Sequence, residues 1–322
     1  MEHLPTVSVI IPAHNEDATL SNCLHSLEQL DYPMDKLEII LINDGSTDGT
    51  KRIISEHLQS SPYVYLETDG RGPSKARNTG LEKAKGDYVA FTDADCIVDR
   101  EWLNELLNGF IADDVAGVGG CQTIPEDASD FEKSVHGFLT SMHFICEYVK
   151  KLETIAIVDH VASCNSLYRR QVLEAVHGFD EQLWPGEDVD LDYKIRREGY
   201  RIAYNPNAVV AHHRPKNIRA FLSMMKRYGW SQAYLLRNYG FFRTLQYVPF
   251  AALLLFIGWL FALTYNLSLG IGLAIFGIVG IFMAFILKTG LKQGWDNFVL
   301  FMITLVSWHA GFLRGLLGWP RR

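Results

Sequence analysis

Two aspartates two residues apart, Asp93 and Asp95, close the apolar run Val89–Thr92 (VAFT). β-Branched and aromatic residues that stop abruptly at acids read as a buried strand whose C-terminal end faces a ligand. Carboxylates this close repel unless a cation or a proton offsets their charge. Oxygen ligands of this kind suit Mg²⁺ or Mn²⁺, held by one or two carboxylates and shared with substrate phosphates. Taken alone, Asp93-Ala94-Asp95 is equally a turn in which Asp caps a helix. A second acidic pair, Glu187-Asp188, follows a Pro-Gly turn and begins the helical stretch Val189–Glu198. Such acids either complement the helix dipole or hold a general base beside a cleft, of which Trp184 would be a wall.

Other chemistry-bearing residues sit at similar boundaries. Arg71–Asn78 (RGPSKARN) brings Lys75, Arg77 and a third base to a helix start opened by Gly and Pro, a setting that favours phosphate. Asp44 ends an apolar run and enters a Gly- and Ser-rich turn, where it either caps a helix or meets a nucleoside. His212 and His213 end the apolar run Val209–His213. Adjacent strand residues face opposite sides, so at most one imidazole would ligate a metal. Asp159–Tyr168 (DHVASCNSLY), which includes Asn165, has the small polar composition of a strand lining a cleft.

These residues need elements to position them. Val7–Ile11, Leu37–Ile42 and Tyr88–Thr92 read as buried strands and Val64–Glu67 as a short one, with helical stretches at Thr19–Leu30, Lys51–Leu58 and from Ser74 to Lys85. The alternation predicts an α/β fold with a mainly parallel sheet. Gly117–Cys121 is a tight strand or a close backbone approach, and Ala128–Lys151 reads as an aromatic helix used in core packing. Arg201–Tyr204 and Val209–His213 read as two further strands.

The chain has 322 residues and a net charge of −7, but the charge is divided. Residues 1–198 hold 36 of the 37 acids and 17 of the 30 bases, whereas residues 199–322 hold 13 bases and one acid, Asp296. An acidic part joined to a basic, apolar part suggests a cytosolic domain on an anionic membrane face, with no nucleic-acid partner. Residues 214–246 carry seven bases and no acid among aromatic and apolar residues, the profile of interfacial amphipathic helices. Residues 247–267 and 268–287 are each long enough to span, as a hairpin, and 297–318 is a third apolar stretch that either spans or re-enters. Lys288 and Lys292 lie on the same side as Arg237 and Arg243, which orients residues 1–213 to the cytosol. A crossing by 297–318 would leave Arg321 and Arg322 outside, against that tendency. The five cysteines show no CxxC spacing and fit reduced thiols. No signal peptide is expected in MEHLPTVSVIIP, which lacks a basic segment and a long apolar core.

Four blocks in order resemble the family 2 glycosyltransferases, inverting enzymes of the GT-A (Rossmann-like) fold that use nucleotide-diphosphate sugars. They are VSVIIPAHNED (7–17), IILINDGSTDGT (39–50), GPSKARNTGLEKAKGDYVAFTDAD (72–95) and GFDEQLWPGEDVDLDYKIRREGYRI (178–202). By position, the resemblance implies that Pro12, Ala13 and Glu16 line the nucleotide pocket, that Asp44 reads the base, and that Lys75 and Arg77 lie near the nucleotide and its phosphates. Asp93 and Ala94 would sit by the nucleotide, Asp93 also near the metal. Asp95 would bind Mn²⁺ or Mg²⁺, with His212 or His213 as an added ligand. Glu187-Asp188 resembles the family's acidic pair, Asp188 being the catalytic base, and Trp184 and Asn165 would line the acceptor cleft. Arg227 resembles a cation that some membrane-bound members place over the diphosphate. The processive synthases carry Gln-x-x-Arg-Trp there; MMKRY (224–228) departs from it, which argues against a polymer-secreting synthase.

The activity so implied is transfer of one sugar, with UDP as the first nucleotide, to a hydroxyl of a membrane-associated acceptor such as a lipid-linked saccharide. The setting is the cytosolic face of the cell membrane. Enzymes that glycosylate a polyprenyl phosphate attack with an oxygen already ionised and need no base, so the intact acidic pair favours a hydroxyl. A non-catalytic membrane scaffold, the third reading, is disfavoured because both acidic motifs are present.

Overall fold

The computed structural model describes residues 4–57, 63–142 and 153–320. The ends of two expected helices, Leu58 and residues 143–151 with Phe144 and Tyr148, lie outside the described residues, as do Cys146, Arg321 and Arg322.

The first apolar run forms β1 (Val7–Ala13), buried at every position. A strand buries both faces only where both sides of its sheet are covered. β1 pairs in parallel with β2 (Leu37–Asp44), which pairs with β3 (Tyr63–Thr68); its other neighbour is β4 (Tyr88–Thr92), again parallel. α1 (Leu20–Glu28), α2 (Thr50–His57) and α3 (Pro73–Leu81) connect them. Alternate residues of β1 therefore enter different cores: Val9 and Ile11 pack with Leu24 and Leu41, Ile10 with Ile40, Ala76 and Phe91.

Beyond β4 the sheet continues through residues whose pairing the apolar pattern does not foretell. β5 (Cys96–Val98), α4 (Trp102–Asn108) and β6 (Val115–Thr123) follow; α5 (Asp130–Met142) leaves the domain; β7 (Ala156–Val158), β8 (Asn165–Arg169), α6 (Arg170–Ala175), α7 (Glu187–Arg197) and β9 (Arg201–His212) complete it. The sheet order is β3-β2-β1-β4-β8-β6-β9-β5, with β7 also on β9. β1, β2, β3, β4, β6 and β9 point one way and β5, β7 and β8 the other, so the sheet is mixed with mostly parallel strands.

Two expectations need correction. Asp159–Tyr168 is not one strand: β7 ends at Val158 and β8 begins at Asn165. Between them the Val161 amide donates to Asp192 instead of to a neighbouring strand, and Asn165 N–H closes a turn onto Ala162 C=O. Arg201–Tyr204 and Val209–His213 are not two strands but parts of β9, joined across Asn205-Pro206-Asn207 by a bulge against β6. Asn205 supplies the bulge with partners, donating to Glu105 and accepting from Asn207 N–H.

Residues Met1–Asp127 and Cys146–His213 make one compact unit; Ala128–Ile145 and Arg214–Arg322 make a second. In the second, α5 packs with α11 (Leu291–Leu316) and, through Phe138 edge-on to Phe221, with α8 (Ile218–Tyr239). Val135 and Phe138 of α5, Phe221 and Met225 of α8 and Leu300 of α11 share one cluster. The periodicity of 214–246 thus reports a helix-packing face: Phe221, Met225, Gly229 and Ala233 are buried, leaving Ile218 and Leu222 exposed. Two helices precede α11: α9 (Val248–Tyr265) and α10 (Leu267–Thr289). Large apolar side chains such as Leu254, Phe261, Phe276 and Leu287 stand exposed on them, a surface suited to lipid rather than water. Thr244–Tyr265, Leu267–Thr289 and Leu291–Leu316 are each long and apolar enough to cross a membrane. The third is one unbroken helix.

Asp192, in α7, is fully buried and accepts the Val161 amide at 2.7 Å and the Tyr168 hydroxyl at 2.9 Å. Burial outweighs those bonds and raises its carboxyl well above the ordinary value. The same group in the unfolded chain ionises near pH ~4. Above that pH the folded protein keeps a proton the unfolded chain has lost, so this group's contribution to stability falls as pH rises from about 4 towards its folded value. Asp192→Asn should remove that slope. Thermal midpoints of the full chain in detergent at about pH 5 and about pH 8 should show the variant losing less stability than the wild type.

Candidate active site

The end of β4 places Asp93 and Asp95 in a turn, and the strand after it brings an imidazole to them. β5 runs antiparallel to β9 with Cys96 opposite His212. His212 Nε2 consequently lies 3.5 Å from Asp95 Oδ2. Asp93, Asp95 and His212 each offer a ligand atom within 4.8 Å of the others. Nδ1 of the same ring is 3.3 Å from Oε1 of buried Gln122, an acceptor that suits an Nδ1–H and leaves the Nε2 lone pair on the aspartate side. Two carboxylates and an imidazole so oriented fit a hard divalent cation. Burial works against charge on His212, but Asp95 overrides it and raises the imidazole to about 10. Burial likewise opposes charge on Asp95, and His212 overrides it to hold the carboxyl below its ordinary value. The cluster thus favours a positive charge, whether proton or metal. His213 points elsewhere, its Nε2 3.8 Å from Asp127, so of the two histidines His212 alone joins the aspartates.

The second acidic motif reaches the same place through a buried cation. Gly72, with a positive φ, and Pro73 start α3, which carries Arg77 inward to 2% exposure. Arg77 donates from Nη2 to Asp93 Oδ1 at 2.6 Å and from Nη1 to Glu187 Oε1 at 2.8 Å. Gly186, also at positive φ, turns the chain into α7, so Glu187 enters buried while Asp188 stays partly exposed beside it. The Ser163 hydroxyl donates to the same Glu187 oxygen. Burial pushes Glu187 up to about 7, Arg77 pulling it down and Asp188 pushing it up.

Several expected site residues hold the frame. Arg77, expected near the nucleotide and its phosphates, is buried with its guanidinium occupied by Asp93 and Glu187. Asn165 does not line an acceptor cleft; it is fully buried, accepting from Trp102 Nε1 and donating to the Cys121 and Ala208 carbonyls. Asp44 is 3% exposed and turned onto the loop before α3, accepting from Thr68, Gly70, Arg71 and Gly72. Lys75 bonds Glu181, and Glu16 accepts from Thr19. Pro12, Ala13 and Ala94 are buried, and Trp184 is half-buried. Arg227, in the second unit, donates to Ser223. Gln122, Ser163 and Cys164 belong to the site without having been singled out; only the small polar run around the last two hinted at them.

The family model for glycosyl transferase family 2 matches residues 8–176. Glycosyltransferase AglE of Haloferax volcanii is 30% identical over 215 residues, 65% of this chain and 67% of its own length. Probable glycosyltransferase YdaM of Bacillus subtilis is 27% identical over 247 residues, 74% of this chain and 58% of its own. Poly-beta-1,6-N-acetyl-D-glucosamine synthase of Staphylococcus aureus is 28% identical over 214 residues, 65% of this chain and 50% of its own. The chain therefore spans about half to two thirds of the length of these curated relatives. Among solved structures, mannosyltransferase PcManGT from Pyrobaculum calidifontis, in complex with GDP-Man and Mn²⁺, superposes with a TM-score of 0.72 at 21% identity over 98% of this chain and 88% of that one. GalNAc-T7 with UDP, GalNAc and Mn²⁺ gives 0.54 at 20% identity over 73% of this chain and 50% of that one. At these identities the likeness is one of fold.

Removing the buried cation would strand two carboxylates. Arg77→Met is expected to destabilise the protein by about 3–5 kcal/mol, read as a shift in chemical denaturation of the full chain. Adding Glu187→Gln to that variant should recover part of the loss, because one uncompensated charge is then gone.

Proposed function

Because the chain belongs to glycosyl transferase family 2, we propose that it moves one sugar from a nucleotide-diphosphate sugar to a hydroxyl of a membrane-associated acceptor, with inversion. The observation that carries this reading is the linkage of Asp93, Asp95 and His212 to the Glu187-Asp188 helix start through one buried arginine. Asp93, Asp95 and His212 would hold the divalent ion, Mn²⁺ or Mg²⁺. When bound, the ion supplies positive charge to the departing diphosphate.

The chain's own groups do the rest. Arg77 fixes the distance between Asp93 and the start of α7. Asp188 takes the proton from the acceptor hydroxyl as its oxygen bonds to the anomeric carbon and the bond to the diphosphate breaks. Attack from the side of the base, opposite the leaving group, inverts the centre. Glu187 stays beneath, held by Arg77 and Ser163, and aligns its neighbour. A uridine donor is the first candidate. Guanosine is the second, because the PcManGT structure was obtained with GDP-Man.

Acceptor delivery from the bilayer is supported by the three long apolar helices. The excess of Lys and Arg after residue 199 supports a site on the cytosolic face, against anionic lipid. A lipid-linked saccharide at the cell membrane is the acceptor class this arrangement serves.

The test is nucleotide release by the full chain in lipid, from UDP-, GDP- and dTDP-sugars, with lipid-linked oligosaccharide or bare polyprenyl phosphate as acceptor. Turnover should need the saccharide acceptor, stop on chelation and return with Mn²⁺ or Mg²⁺. Asp188→Asn should lower kcat by about 10²–10⁴-fold while nucleotide binding is kept. Turnover on bare polyprenyl phosphate that survives Asp188→Asn would sink the hydroxyl-transfer reading.

A further inference from the structure

Behind His212 lie two sulfurs that the proposed chemistry does not use. Cys96 and Cys164 are both buried, and their Sγ atoms lie with a ring nitrogen of His212 within 4.8 Å of one another. Cys164 Sγ is 3.7 Å from His212 Nδ1, and Cys96 Sγ is 3.7 Å from Asp95 Oδ1. The Gln122 amide donates to Cys164 Sγ at 3.2 Å. Ligands at about 2.0–2.3 Å around one tetrahedral ion stand roughly this far apart. The imidazole therefore separates two donor sets of opposite softness: Nε2 faces the aspartates and Nδ1 faces the thiols.

We propose that Cys96, Cys164 and His212 form a second metal site, selective for a thiophilic divalent ion such as Zn²⁺, whose occupation withdraws His212 from the Asp93–Asp95 cluster. Three physical arguments support it. Two thiolates and a neutral imidazole neutralise a divalent ion, so the buried unit carries no net charge. Binding forms two S–metal bonds and one N–metal bond and releases to solvent both thiol protons and the Nδ1 proton of the imidazolium, whose Nε2 proton stays on the ring. With Nδ1 on the soft ion, the ring proton sits on Nε2 and is donated to Asp95, so the hard ion loses its nitrogen ligand. The ion can enter from the open side, where the His212 and Asp95 side chains are 21% and 29% exposed. Hard and soft ions are then mutually exclusive, and a thiophilic ion inhibits transfer.

The antagonism rests on the proposed Asp93–Asp95–His212 cation site; the thiol site does not, and the readouts are separate. Co²⁺ is titrated into the reduced full chain in lipid nanodiscs. A tetrahedral thiolate site gives strong thiolate-to-cobalt charge-transfer absorption, which oxygen and nitrogen ligands alone do not. The band is expected in the wild type and in Cys23→Ala, and should be absent in Cys164→Ser and Cys96→Ala. Bound Mn²⁺, followed by electron paramagnetic resonance, should be released by Zn²⁺. Cys96→Ala, which removes one soft ligand and leaves the Gln122–Cys164 hydrogen bond in place, should raise the Zn²⁺ needed for release by about tenfold or more while Mn²⁺ itself still binds, which also shows that the variant is folded. No thiolate band in the wild type, or a band that persists in both variants, overturns the site. A band with Mn²⁺ undisturbed by Zn²⁺ overturns the sharing of His212.

Discussion

A guanidinium with almost no contact with water holds a carboxylate on each side, and the site is assembled around that fact. Arg77 comes from α3, Asp93 from the end of β4 and Glu187 from the start of α7. Without the cation, two acids brought together in a dry setting would repel or take up protons. With it, one planar fork sets their separation through two different nitrogens, something a lysine's single ammonium could not do. Taking Arg77 and Glu187 out of water, with Asp93 only partly covered, is costly, and a buried ion pair seldom repays that cost in net stability. The return here is geometric: the strand that ends in Asp93-Ala94-Asp95 and the helix that begins with Glu187-Asp188 are tied at a fixed distance.

The sheet settles the other half of the geometry by counting. Strand residues alternate faces, so a histidine reaches the aspartates only if its strand arrives in the right phase. Along β6 and β9, Gly120 pairs with Asn205 and the next residue, Cys121, pairs with Val209. One step on β6 therefore corresponds to four on β9, an excess of three. An odd excess inverts the alternation beyond the bulge. Gln122 then pairs with Val210, and His212, two residues on, shares its face. A regular strand would have given that face to His213. The Asn-Pro-Asn interruption, polar and unable to continue a ladder, is thus what brings His212 rather than His213 to the aspartates.

That explains which parts of the molecule were legible in the sequence. The strands β1, β2 and β4 announce themselves because they are buried almost throughout, whereas β3 at the sheet edge is only partly covered, and the motifs at the ends of β2 and β4 follow directly. β9 read as two strands because the bulge resembles a loop, and the choice between His212 and His213 stayed open for the same reason. Asn165 and Arg77 were readable as polar residues near a cleft but not as buried ones. Their partners, the Cys121 and Ala208 carbonyls and the distant Glu187, are contributed by pairing far along the chain. The apolar stripe of α8 had the same ambiguity: a periodic face is satisfied equally by lipid or by another helix. What decides it is close approach at glycines, which composition does not express. A Cβ on Gly229 or Gly311 would lie 1.9 Å from a carbonyl oxygen of the facing helix.

The position of the two buried thiols bears on why His212 is a suitable third ligand at all. A neutral imidazole must be held in one tautomer for its other nitrogen to accept a cation, and the holding group must itself be fixed. Gln122 does this only because its amide end is anchored: Nε2 donates to Cys164 while Oε1 faces His212 Nδ1. A glutamine without that anchor could flip and present its N–H to the ring, which would move the ring proton to the aspartate side. The sulfur of Cys164 therefore reaches the cation site through two hydrogen-bonded steps. Gln122 and Cys164, which fix the ring of His212 beside Asp95, thus also bring a thiol to its other nitrogen.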